Sequence, residues 1–136
     1  IFQWQVDPGS GYVNVVNDGI YAGATTDSLH LTSAPTSWYG NKYRCQITDS
    51  YGTISSEEFV LRFSLTWDGS EGPAWEDPMN WGCSIIPDAY TDVYVNTGSP
   101  NYPEVNVSTS CRSLKLKAGV LVLVKTGNVL TLTGNN

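Results

Sequence analysis

Acidic side chains in the middle of this 136-residue chain are the first candidates for chemistry. Carboxylates close together in a loop can supply the oxygen ligands that calcium prefers. Their spacing lacks the regular period of a calcium loop, so solvated turn residues are the favoured interpretation. A converging carboxylate pair would suit glycoside cleavage, but no spacing in the sequence selects such a pair. No metal or cofactor is therefore predicted. The loop residues concerned are Asp68, Glu71, Glu76 and Asp77.

The single histidine lies where catalysis is not expected. His30 alternates with Leu29 and Leu31 in "DSLHLTS", and successive side chains of a strand point to opposite faces. The leucines are therefore predicted to face a core and His30 to face solvent. No nucleophile motif accompanies the histidine, so a Ser-His-Asp arrangement is not indicated. The sequence predicts a chain that is not an enzyme.

Charge and composition exclude several classes of partner. The net charge is -6, with 7 basic and 13 acidic residues, so no basic patch is available to neutralise phosphates and nucleic acid is not expected. No apolar run approaches the ~20 residues of a membrane span.

The three cysteines match no zinc-site spacing, and disulfide use outside the cytoplasm is the favoured interpretation. A first residue of Ile1, with no leader before it, indicates a processed or excerpted chain.

Short alternating runs separated by turn residues predict strands along the first half. No segment has the 3.6-residue period of a capped helix. Pro, Gly, Asn and Asp clusters such as "DPGSG" and "NDG" separate the runs. The predicted strands are 1–6, 12–16, 27–33, 42–48 and 53–65.

Pairs of leucines mark three further strands near the end of the sequence. They are Leu114/Leu116, Leu121/Leu123 and Leu130/Leu132, separated by "AG" and "TGN". Short strands at this spacing suit successive faces of one rung of a right-handed β-helix. Because a single rung cannot bury its own core, more chain or a partner is implied.

Residues 1–65 resemble the Ig-like modules repeated in large secreted surface proteins of the Bacteroidota. The resemblance is carried by "FQWQV", "DGIYAGATTDSLHLT" and "GNKYRCQITDSYGTISS". It implies an immunoglobulin-like sandwich with strands C to G present and strands A and B missing. Tyr43 is then expected to form a corner-type hydrogen bond to backbone. The core positions expected in the two halves are Trp4, Leu29, Leu31, Tyr43, Cys45, Ile47, Trp67 and Trp81.

Three tryptophans lie within fifteen positions in "TWDGSEGPAWEDPMNW". With them, residues 66–136 resemble the tryptophan-rich segment that precedes β-helical stretches in the same class of proteins. This resemblance implies a disulfide between Cys83 and Cys111. Two alternatives remain open for the thiol of Cys45. It pairs with a strand B cysteine outside these residues, or it stays a buried free thiol, which is the favoured alternative.

A few residues are candidates for contact with sugars. Exposed aromatic rings stack on sugar faces, and Trp38, Tyr39 and Tyr102 lie in predicted loops. A structural role is favoured for each of them. Ser28, in "DSL", resembles an O-glycosylation site of the Bacteroidota, and "NVS" at 106–108 is an N-glycosylation sequon.

Together these features predict an all-β chain with two modules. An incomplete Ig-like β-sandwich spans 1–65, and a tryptophan-rich module that begins a right-handed β-helix-like coil spans 66–136. The expected function is a non-catalytic spacer and interaction surface in an extracellular adhesin, stalk or filament on a cell surface. The alternative is an accessory carbohydrate-binding region of a secreted polysaccharide-degrading enzyme.

The missing strands also predict a partner. Strand 27–33 would have no neighbouring strand in this sequence with which to pair. Proteins rarely leave an unpaired strand edge with apolar side chains on one face open to water. A neighbouring domain of the same parent chain, or a subunit that donates a strand, is expected to cover it.

Overall fold

The computed structural model describes residues 1–134, and its regular structure is almost entirely β-strand, as the sequence predicts. The chain divides into two units, Ile1–Leu61 and Arg62–Asn136. Three short 3-10 helices lie at Thr36–Trp38, Pro78–Asn80 and Gly82–Ser84. Across residues 1–134, no helix has the length and apolar character needed to cross a membrane.

The first unit is built on one antiparallel sheet. The strands of the unit are β1 (Phe2–Asp7), β2 (Val13–Asn14), β3 (Tyr21–Ala22), β4 (His30–Leu31), β5 (Lys42–Asp49), β6 (Gly52–Ser55) and β7 (Phe59–Val60), of which β3 and β4 form a separate two-stranded sheet. The sheet order is β2-β1-β5-β6, with β7 also pairing with β5. Trp4 pairs with Cys45 and Val6 with Tyr43, so these four side chains share one face.

That face carries the core of the first unit. Val6, Val15, Ala24 and Tyr43 are buried in it. Partly buried side chains pack around them: Trp4, Tyr21, Leu29, Leu31 and Leu61. The indole Nε1 of Trp4 donates to the carbonyl of Thr26 at 3.0 Å, which ties β1 to the loop before β4. Trp4 therefore lies partly buried at the edge of this core.

The turn after β1 has the chemistry that "DPGSG" predicts. The Asp7 carboxylate accepts hydrogen bonds from the amides of Gly11 (2.8 Å) and Gly9 (2.7 Å). Both glycines have φ of 108°, a conformation that L side chains rarely adopt. The two hydrogen bonds lower the pKa of Asp7. The turn thereby directs the chain back into β2.

The predicted lack of a neighbour for strand 27–33 is wrong. Only His30–Leu31 of that segment forms a strand, and it pairs antiparallel with Tyr21–Ala22. Gly23 follows at φ 83°, where an added Cβ would lie 2.1 Å from the carbonyl oxygen of Ser28. A glycine therefore allows β3 and β4 to form their own hairpin.

The predicted boundary at 65/66 lies at 61/62 in the structure. The predicted strand 53–65 is three strands, and its last part, Phe63–Thr66, belongs to the second unit. There it pairs in parallel with Thr91–Val95. The alternating pattern continues across the boundary, so the hydrophobic period did not reveal the break.

The second unit consists of parallel strands. They are β8 (Phe63–Thr66), β9 (Thr91–Val95), β10 (Glu104–Val105), β11 (Thr109–Cys111), β12 (Ser113–Leu116), β13 (Leu123–Val124) and β14 (Leu130–Leu132). We call β9-β10-β11 the first strand triplet and β12-β13-β14 the second. Each strand of the second triplet pairs in parallel with its counterpart about 20 residues earlier. Leu114 and Leu116, Leu123, and Leu130 and Leu132 therefore lie in three different sheets, whereas Leu121 precedes β13 and lies outside the strands.

A tryptophan-centred core fills the second unit. The buried residues are Trp67, Trp75, Trp81, Val93, Val95, Val105, Cys111 and Val120. The rings of Trp67 and Trp81 meet edge to face at 4.9 Å, and those of Trp75 and Trp81 at 4.7 Å. The indole Nε1 of Trp81 donates to the Trp75 carbonyl at 2.7 Å. Trp81 is thus the central member of the cluster.

Candidate interaction surfaces

The residues singled out for chemistry do not come together. His30 is exposed, as are Asp68 and Glu71. Asp77 accepts a hydrogen bond from the Met79 amide at 3.0 Å and caps a 3-10 helix. Glu76 accepts from the side chain of Asn106, the first residue of the sequon, at 3.0 Å. Within residues 1–134, no three His, Cys, Asp or Glu side chains form a group that would hold a metal ion.

All three cysteines are free thiols in the structure, so the predicted disulfide between Cys83 and Cys111 is not formed. Cys83 is exposed and has φ of 63°. Cys111 is fully buried, and this burial raises the pKa of its thiol to about 11. Cys45 is a buried thiol whose Sγ lies 3.6 Å from the carbonyl oxygen of Gln46. Cys45 and Cys111 therefore act as small apolar core residues.

The residues expected in the core of the first unit differ in how deeply they are buried. Tyr43 and Cys45 are buried, and Trp4, Leu29 and Leu31 are partly buried. The Tyr43 hydroxyl lies 3.0 Å from the Tyr21 hydroxyl, a side-chain partner in place of the expected backbone group. In the second unit Trp67 and Trp81 are buried.

The predicted sugar-contacting aromatic residues differ in accessibility. Tyr39 is buried, which removes its ring from solvent. Trp38 is partly buried and stacks on Tyr21 with ring centroids 5.4 Å apart. Tyr102 lines a groove of about 410 Å³ with Pro100, Pro103 and Leu121 among its walls. Ser28 is exposed, and its hydroxyl donates to Asp27 at 3.2 Å.

A polar network that was not predicted from the sequence covers the other face of the first sheet. Gln5 donates to Asn14 at 2.8 Å and accepts from Arg44 at 2.9 Å. The Arg44 guanidinium lies 3.8 Å from the centroid of the Tyr12 ring, and Tyr12 donates to Glu58 at 2.7 Å. Burial and Glu58 raise the pKa of Tyr12 to about 12. The alternation of polar residues in "FQWQV" was the available signal.

The core face of the first sheet continues into an uncovered apolar surface. Phe2 pairs with Ile47, and Ile47 pairs with Ile54, so the three side chains share the face of Trp4 and Cys45. They are exposed by 37%, 37% and 68%. Ile47 and Ile54 line a hollow of about 240 Å³ with Tyr51. Ile47 is thus not a core residue, and we call these three residues the open face.

The second strand triplet shows a similar uncovered row. Val95, Val105 and Cys111 of the first triplet are all 0% exposed. Their paired counterparts in the second triplet are Leu116, Val124 and Leu132, exposed by 44%, 39% and 55%. Paired residues of parallel strands point to the same face. The same row of paired positions is therefore buried in the first triplet and exposed in the second. We call the three exposed residues, Leu116, Val124 and Leu132, the open row.

Comparison of the chain with protein-family models, with curated proteins and with solved structures finds no match. The open face and the open row are therefore the structural features that bear on function.

Proposed function

We propose that this chain is a non-catalytic structural module of a larger extracellular protein, in which it serves as a spacer and interaction surface. Its placement in an adhesin, stalk or filament rests on the resemblance to secreted surface proteins of the Bacteroidota. The single observation that carries the interaction role is the open face, Phe2, Ile47 and Ile54. Contiguous exposed apolar residues on a folded unit mark contact surfaces.

The architecture of the first unit supports an incomplete Ig-like sandwich. The order β2-β1-β5-β6 corresponds to strands C′, C, F and G, neighbours in one sheet of that fold. In such a sandwich the inner face of this sheet packs against a second sheet. Here the short β3-β4 hairpin contributes Tyr21 and Leu31 to the core, while the open face extends beyond it.

The second unit supports the start of a β-helix-like coil. Three parallel pairings with a repeat of about 20 residues are typical of strands that return to the same side after each turn of a coil. The two strand triplets then form two successive turns. Such units are stable when stacked, because each buries the apolar row of the one before.

A β-strand of a neighbouring domain, or of a subunit that donates a strand, is the partner we propose for the outer edge of β6, beside the open face. The outer strand β6 offers backbone groups for pairing, and Ile54 on β6 offers an apolar side chain. Strand addition uses both, since main-chain hydrogen bonds supply affinity and side-chain pockets supply specificity.

Replacing Ile54 with Lys tests this role. We expect the unmodified chain to self-associate with rising concentration, because the open face is apolar. Ile54→Lys should suppress this association while changing the free energy of unfolding by less than about 0.5 kcal/mol, because Ile54 is largely exposed. Sedimentation velocity at several concentrations measures the association, and urea unfolding measures the stability.

Ser55→Lys is the matched control. Ser55 is exposed on the same strand and points to the opposite face, so the same charge there should leave association unchanged. An unmodified chain that stays monomeric at every concentration and melts in one sharp transition would contradict the proposal.

The alternative function, an accessory carbohydrate-binding region, is favoured by the groove beside Tyr102. Its walls combine an aromatic ring with the polar side chains of Asn101 and Glu104. Calorimetric titration with neutral oligosaccharides tests this alternative. Saturable binding that Tyr102→Phe retains and Tyr102→Leu loses would support carbohydrate binding. An absence of binding heat would contradict it.

A further inference from the structure

Among residues 1–134, no further strand pairs with the outer edge of the second strand triplet on any of the three sides of the second unit. In their sheets, β12 lies beyond β9, β13 beyond β10 and β14 beyond β11, so each is the outermost strand on that side. Outermost strands present unpaired backbone groups that can accept another strand. The open row of Leu116, Val124 and Leu132 lies on these same strands. Backbone and apolar side chains are thus available together.

The path of the chain after β14 indicates what covers this edge. After β11, the amide of Arg112 donates to the carbonyl of Thr91 at 2.9 Å, and β12 then runs alongside β9. After β14, the amide of Gly134 donates to the carbonyl of Arg112 at 3.0 Å. Gly134 therefore lies next to the start of β12, as Arg112 lies next to the start of β9. A third strand would begin at this place.

We infer that the open row is covered by a third strand triplet of the same polypeptide, which enters at Gly134 and pairs in parallel with β12, β13 and β14. This inference rests on the proposed function, because it assigns the chain to a larger coiled protein. The triplet would span about 20 residues and carry apolar side chains at the three inward positions. A lipid or a small apolar ligand would cover the side chains but leave the backbone groups unpaired.

A tandem variant supplies such a triplet from the chain itself. It consists of residues 1–133 followed directly by a copy of residues 113–136, which keeps the spacing between β11 and β12. In the control tandem, the copies of Leu116, Val124 and Leu132 are replaced with Lys. We expect the tandem to raise the midpoint of thermal unfolding by about 5 °C or more, and the control tandem to leave it unchanged.

Substitutions in the existing second triplet make the test specific. Leu132→Lys in the tandem should abolish the gain, because Leu132 would now be an inward residue. Thr131→Lys, on the neighbouring exposed residue, should retain it. Hydrogen exchange of the β12 to β14 amides should slow at least tenfold in the tandem relative to the unmodified chain.

Two outcomes would overturn the inference. One is a tandem that melts and exchanges like its control. The other is an unmodified chain that forms a dimer lost on Leu132→Lys, since a second copy would then be the occupant. The proposed function is tested separately by the Ile54→Lys sedimentation result, which reports on the first unit.

Discussion

Trp81→Ala is expected to unfold the second unit or to leave it barely stable. Trp81 contacts the rings of both Trp67 and Trp75, and its indole nitrogen donates to the Trp75 carbonyl. Removing a buried Trp side chain costs about 3–5 kcal/mol through lost contacts and the cavity left behind. Whole domains have only about 5–15 kcal/mol of stability, so this loss is a large fraction. Urea unfolding followed by tryptophan fluorescence measures it.

Met79→Ala is the control for this substitution. Met79 lies two residues before Trp81, and its side chain is exposed. Its truncation should change the free energy of unfolding by less than about 0.5 kcal/mol. Equal losses for the two variants would mean that the tryptophan cluster is not the core of the unit.

Asp92→Ala is expected to cost about 3 kcal/mol or more. The buried Asp92 on β9 accepts from the Arg112 guanidinium at 2.8 Å and from the Ser113 hydroxyl. These contacts join the first strand triplet to the start of the second. Removing one partner of a largely buried ion pair typically costs about 3–5 kcal/mol. Equilibrium denaturation with urea gives the value.

Lys125→Ala provides a matched comparison for Asp92→Ala. Lys125 and Glu104 form an ion pair of the same 2.8 Å distance, but their side chains are substantially exposed. Exposed ion pairs contribute about 0–1 kcal/mol because water screens them. A loss for Asp92→Ala no greater than that for Lys125→Ala would contradict the assignment of a buried strand-joining pair.

Local patterns predicted several of the strands but not their partners. The alternation in "FQWQV" and "KYRCQIT" predicts β1 and β5, and the Leu-x-Leu pattern predicts β12 and β14. The partner of β4 was missed because Tyr21–Ala22 is too short to show a period. Strand pairing over about 20 residues depends on tertiary packing, which periodicity does not encode.

The candidate surfaces were predictable only in part. An uncovered apolar edge was expected from the missing strands, but on strand 27–33, whereas the structure exposes Phe2, Ile47 and Ile54. The disulfide followed from resemblance alone, and no local pattern constrains the distance between Cys83 and Cys111. The Asp92–Arg112 pair brings together residues on β9 and just before β12, so it became visible only with the parallel register.

Residue-level hydrogen exchange of the unmodified chain tests the central claim, that both units present uncovered strand edges, most directly. Inner strands are expected to be well protected, since β5 has neighbours on both sides, as does β9. The account predicts that amides of β6 and of the second strand triplet exchange at least tenfold faster than those of β5 and β9 in the monomer. Equal protection of the outer and inner strands in a monomeric chain would contradict it.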